Sequence, residues 1–151
     1  MTGSSFAMSK TDDPQVIETR FGTFTAGPRD VVTLSDGLPG FETCRRFFLL
    51  TSPELEPLMC LQGLDESRPA FLAIDPRLVD STYRCTLDDL QHRRLGASAD
   101  APLLWLAIVR VTETDGSTVN LRAPLVIDPN RMQGVQLLAG HDDYDTAERL
   151  E

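Results

Sequence analysis

The stretch Gly37-Leu38-Pro39-Gly40-Phe41-Glu42 constrains the fold more than any other part of the chain. It places three turn-formers among its first four residues, between the apolar runs Val31 to Leu34 and Phe47 to Leu50. Gly37 and Gly40 can take positive φ at little steric cost, whereas Pro39 fixes its own φ and biases Leu38 toward an extended conformation. The combination predicts a stiff double turn between two strands. Leu38 and Phe41 are then expected to anchor the turn on the core, with Glu42 left facing water. Read as physics alone, the stretch is a rigid loop.

The flanking pattern is that of a mostly β domain. Val16 to Phe24 alternates loosely and reads as two short strands bent at Gly22, and Asp30 to Ser35 is a β-branched strand feeding the turn. Phe47 to Thr51 is a short apolar strand. Leu58 to Leu64 and Ala70 to Ile74 form an expected hairpin across the polar link Asp65 to Pro69. Leu103 to Thr112 is the longest apolar run and holds Trp105, the only tryptophan. Asp115-Gly116 then joins it to Thr118 to Leu121, a strong hairpin signal. Leu125 to Asp128 and Met132 to Ala139 complete the strands.

One helix is expected over Thr86 to Leu95, with Thr86 as cap, Asp88 and Asp89 in its first turn, and Arg93 and Arg94 before Gly96. The acidic tail, Asp142 to Glu151, is expected to form a second short helix capped by Asp143 or Asp145. Roughly nine short strands with one or two short helices imply a small single-domain β-barrel-like fold, a closed or partly closed antiparallel barrel, because closure removes open sheet edges. Residues 1–14 lack periodicity and read as a disordered tail in which Met8 is a second possible initiator. The domain is expected over 15–151.

Composition narrows the function. The chain of 151 residues carries a net charge of -9, with Lys10 its only lysine. That charge opposes unassisted nucleic-acid binding, which needs Lys and Arg to displace counterions, and favours a basic partner. No apolar run reaches the ~18 residues of a membrane span, and no signal-peptide pattern opens the chain, so a cytoplasmic protein is expected. Cys44, Cys60 and Cys85 are odd in number and widely spaced, which fits reduced thiols.

No catalytic pattern stands out. His92 and His141 lie far apart, and His141-Asp142-Asp143 reads as a solvated acidic turn rather than a metal site. There is no Gly-x-Ser-x-Gly elbow, no phosphate-binding glycine loop and no interleaving of aromatic with basic residues. No metal and no cofactor are expected, and the chain reads as a binding protein rather than an enzyme.

The ordered set of motifs resembles a known family. Gly37 to Glu42, Phe48-Leu49-Leu50, Pro57-Leu58, Leu61-Gln62, Ala70-Phe71, Asp75-Pro76, Tyr83, Thr118 to Leu121 and Ala123 to Ile127 are similar, in order, to the bacterial flagellar assembly factor FliW family. The match runs from about Val16 into the C-terminal tail. It departs from the family pattern at Asp128, where Asn is common, and in the acidity of the tail. The resemblance implies a non-enzymatic cytoplasmic β-barrel protein, monomeric when free. It would bind newly made flagellin as a chaperone and bind CsrA, a dimeric RNA-binding repressor of flagellin mRNA, with no direct contact to nucleic acid or membrane. In that scheme flagellin occupies the protein until export frees it to take CsrA off the transcript.

Within this reading Gly37, Pro39, Gly40, Phe41, Leu121 and Pro124 are expected to shape the fold. Glu42, Asp75, Tyr83, Asn120 and Tyr144 are expected to touch partners, although Asn120 could equally bond backbone near Pro124. Two alternatives stay open: a flagellin chaperone without the CsrA branch, and a ligand-binding or weakly enzymatic barrel with Trp105, Cys60 and Asp75 lining an internal pocket.

Overall fold

A computed structural model describes residues 14–98, 100–114 and 116–150. The segment expected as a disordered tail lies outside the described residues except for Pro14, as does Asp115 of the expected hairpin turn. The described chain carries the strands β1 (Gln15–Thr19), β2 (Gly22–Ala26), β3 (Val31–Leu34), β4 (Arg46–Leu50), β5 (Met59–Gly63), β6 (Ala70–Ile74) and β7 (Leu104–Thr112). They are followed by β8 (Gly116–Val119), β9 (Leu125–Asp128), β10 (Gln133–Gln136) and β11 (Glu148–Arg149). Among the described residues a single α-helix, α1 (Asp89–Leu95), lies between β6 and β7.

Seven strands close on themselves in the order β7-β6-β5-β4-β3-β10-β9, with β9 returning to β7. All these pairs are antiparallel except β10 with β3. The length of β7 makes closure possible. Its first residues, Leu104 to Leu106, pair with β9, while Val109 to Thr112 pair with β8 on the same edge. The strand therefore closes the barrel with one half and extends the sheet with the other. The barrel anticipated from strand number and length is present, and all of its edges are paired.

Cross-strand register separates two buried layers. Val32 faces Phe47, Leu49 faces Leu61, Leu61 faces Phe71, Ala73 faces Ile108, and Leu106 faces Leu125. These residues share one cluster and fill the barrel interior, where Val32, Phe47, Leu61, Ala73, Leu125 and Ile127 are fully buried. Gly134 belongs to the same layer, since a Cβ there would sit 2.9 Å from both Ile127 Cγ1 and Leu34 Cδ2.

The opposite parity, Leu50, Cys60, Leu72, Trp105, Ala107, Val126 and Val135, forms a second cluster on the outside. The β1–β2 hairpin covers it with Phe24 and Ala26, and α1 covers it with Leu95. Trp105 and Cys60 therefore point outward into this layer, which corrects the reading that placed them around an internal pocket. Asp75 caps a 3-10 turn at the end of β6, its side chain accepting from Arg77 N.

Two further expectations are corrected. The helix begins at Asp89 rather than near Thr86, because Asp88 and Gln91 form a reciprocal capping box: Gln91 N donates to Asp88 Oδ1 at 2.7 Å and Asp88 N donates to Gln91 Oε1 at 2.9 Å. Gly96 then closes it at φ +80°. The described residues of the acidic tail, 142–150, form no helix. It runs as turns into β11, which pairs with β8 through Glu148 opposite Val119.

Candidate functional site

At one end of the barrel the glycine-proline stretch forms the expected double turn. Gly37 N donates to Leu34 O at 2.9 Å, Phe41 N to Leu38 O at 2.8 Å, and Cys44 N to Phe41 O at 3.0 Å. Gly37 takes φ +66°, and a Cβ there would approach the Glu42 Cα and O to 2.9 Å. The Glu42 carboxylate reaches back to accept from Gly40 N at 3.0 Å. That amide, together with its own, holds the Glu42 pKa below the usual carboxylate range. Leu38 is buried, as expected of an anchor. Phe41 is not: it is 36% exposed and meets Phe71 edge-on, with centroids 5.5 Å apart. The expectation of a buried Phe41 is corrected, because the second turn carries its side chain over the mouth of the barrel rather than into it.

Asn120 accepts on its Oδ1 from Arg122 N at 3.0 Å and Ala123 N at 3.2 Å, which shapes the chain before the buried Pro124. Leu38, Pro39, Asn120 and Gln136 line one depression of about 420 Å³. The two segments that carry the family resemblance, distant in sequence, thus meet at one place on the surface.

A second constellation lies where the C-terminal tail folds back. Tyr83, expected at a partner surface, is buried. Its hydroxyl donates to Leu121 O at 2.7 Å, and its ring packs on Tyr144, His141 and Trp105 at centroid distances of 4.5, 5.3 and 6.4 Å. Burial, and secondarily Tyr144, pushes the Tyr83 pKa well up. In this conformation Tyr83 belongs to the outer layer, where it organises the packing of the tail, and 5% of it is exposed.

Arg84 holds the tail from outside. It donates to Asp143 Oδ2 at 2.8 Å and Oδ1 at 2.7 Å and to Gly140 O at 3.1 Å, and its guanidinium lies 5.0 Å from the Tyr144 ring centroid. Arg122 Nε adds a bond to Tyr144 O at 2.8 Å. His141, read from sequence as part of a solvated turn, is instead 2% exposed, with Nε2 2.9 Å from Arg84 O. His141 and Arg84 are the residues that sequence reasoning missed. The available signal was the aromatic pair His141 and Tyr144 within an otherwise acidic tail. Asp75 binds Arg77 through both carboxylate oxygens and accepts Arg77 N at 2.9 Å, so its acid is committed locally. Glu42 and Tyr144 keep exposed or half-buried surface.

The fold matches that of a solved flagellar assembly factor FliW, with TM-score 0.76 at 28% identity, over 89% of this chain and 96% of that one. The FliW protein family model covers residues 15–150. The chain belongs to the FliW family. Among its relatives, the flagellar assembly factor FliW of Treponema pallidum is 34% identical over 127 residues, 83% of each chain. That of Moorella thermoacetica is 32% identical over 138 residues, 90% of this chain and 87% of the relative. In this FliW-family chain the described residues hold no cluster of metal-ligating side chains and no helix long and apolar enough to cross a membrane.

The ion pairs predict an acid-side loss of stability. Arg84 holds Asp143 down to about 2, and Arg46, with the Arg45 and Arg46 amides, holds Asp65 down to about 2, from an ordinary 3.8. Between these values the unfolded chain binds more protons than the folded one, so stability is fully present above pH 3.8 and is lost as pH falls toward 2. Thermal melts across this range should show a falling midpoint. Asp65→Asn should be less stable than the parent at neutral pH and converge with it near the acid end; parallel curves throughout would contradict the assignment.

Proposed function

We propose that this chain is a non-enzymatic flagellar assembly factor of the cytoplasm that binds flagellin before export and also binds CsrA, relieving repression of flagellin mRNA. Family membership supports the first part. The observation that carries the CsrA branch is the tail: its tether to Tyr83, Arg84 and Arg122 holds it against the barrel with Asp142, Asp145 and Glu148 exposed. A protein of net charge -9 presenting such a face suits the basic surface of an RNA-binding repressor. Once bound there, it repels a phosphate backbone without occupying the RNA site itself.

Calorimetric titration of the chain with CsrA and with flagellin from its own organism tests the reading. A complex with each is expected, and CsrA affinity should fall clearly from low to high salt, because exposed charges are screened beyond about 10 Å at 0.1 M ionic strength. Complex with neither protein overturns the proposal. Complex with flagellin alone leaves a chaperone without the CsrA branch, and a flat salt response removes the electrostatic account. Against the ligand-binding barrel stands the interior itself, filled by Val32, Phe47, Leu61, Ala73, Leu125 and Ile127.

A further inference from the structure

The mouth of the barrel beside Phe41 differs in charge from the rest of the molecule. Three adjoining depressions of about 440, 540 and 420 Å³ meet around Phe71, which lines all of them. Their apolar floor is Phe41, Phe71 and Ile108, with Val111 61% exposed at the edge. Their cations are Arg20, Arg68 and Arg110, and Glu18 is the one acid in the three linings. The chain has 23 acids against 14 Lys and Arg, so this is a local inversion of the overall charge. Among the described residues the ion pairs take Arg46, Arg77, Arg84 and Arg94, and none takes Arg20, Arg68 or Arg110. Arg20 donates to Ala70 O at 2.9 Å and lies over Phe21, while the side chains of Arg68 and Arg110 bond to no described residue.

We infer that this groove docks a short acidic-apolar segment of a partner protein, with one or two apolar side chains entering beside Phe41 and Phe71 and flanking carboxylates meeting Arg68 and Arg110. Aromatic and arginine side chains are the groups enriched at such anchoring sites. The net charge of the chain decides the class of partner. A polyanion such as nucleic acid or an anionic membrane is repelled at long range by -9, whereas an isolated Asp or Glu brought in by apolar contact meets unpaired guanidinium groups at short range. This surface is opposite in sign to the acidic tail, so its failure leaves the CsrA reading untouched.

The test uses the full chain and an array of short peptides that alternate Leu, Ile or Phe with Asp or Glu, beside the same peptides carrying Lys in place of each acid. The chain should retain the acidic set and not the Lys set. By fluorescence anisotropy, Arg68→Gln with Arg110→Gln should weaken the best acidic peptide by about tenfold. Phe41→Ser should weaken it as well, and circular dichroism should show all variants folded, since the substituted side chains lie at the surface. Equal retention of both sets, retention of neither, or unchanged affinity in the double arginine variant overturns the proposal. So does self-association of the parent chain that Arg110→Glu abolishes, because the groove would then be an interface between copies.

Discussion

Phe47→Ala is expected to lower the unfolding free energy by about 3–5 kcal/mol, the cost of emptying a large aromatic site in a close-packed interior. Phe47 is fully buried, sits opposite Val32 and Gly63 in the barrel, and tilts against Phe71 at 6.3 Å. The interior can relax little around the gap, because each neighbour is itself held by a paired strand. Domains of this kind are stable by about 5–15 kcal/mol, so the variant should lose a large share of its stability. Denaturant unfolding followed by Trp105 emission measures it, since that side chain is the only tryptophan and lies buried on the outer layer of the same sheet. Phe41→Ala is the comparison. With 36% of the residue already exposed, it should cost about 1–2 kcal/mol, within the transfer value of a part-buried ring. A Phe47 variant no worse than the Phe41 variant would mean that the interior is not packed as described.

The contrast between these two phenylalanines marks how far the sequence could be read. Strand positions were legible, because short β-branched and apolar runs between glycines and prolines have few other solutions. Which side chains face inward was not. Phe47 and Leu50 are both fully or nearly fully buried, yet one lies inside the barrel and the other outside it under the β1–β2 hairpin. A strand covered on both faces shows no alternation from which to read its parity. The helix start was legible in principle, since Asp88 and Gln91 have capping-box spacing, but Thr86 offered a competing cap. The tail was opaque for a different reason. Its conformation is fixed by groups remote in sequence, with Arg84 on Asp143 and Tyr83 on His141 and Tyr144, and a local pattern of acids carries no trace of them.

Gly37→Ala should be the more damaging of the two glycine substitutions in the opening turn, and the pair separates backbone strain from crowding. Both residues hold positive φ, +66° at Gly37 and +85° at Gly40, so alanine at either costs about 1–3 kcal/mol of conformational strain. At Gly40 the new methyl would meet nothing within 4 Å, and strain should be the whole effect. At Gly37 it would press to 2.9 Å on the Glu42 backbone, which cannot swing away as a flexible side chain can. Overpacking of that kind adds about 1–3 kcal/mol more. Urea unfolding of the two variants should therefore show Gly37→Ala lower by roughly that increment; equal midpoints would mean that the turn opens freely and that strain alone matters. The functional corollary follows from geometry. Displacing Glu42 from Gly37 loosens the second turn, which carries Phe41 over Phe71, so Gly37→Ala should weaken acidic-peptide binding even where the chain stays folded, and Gly40→Ala should weaken it less.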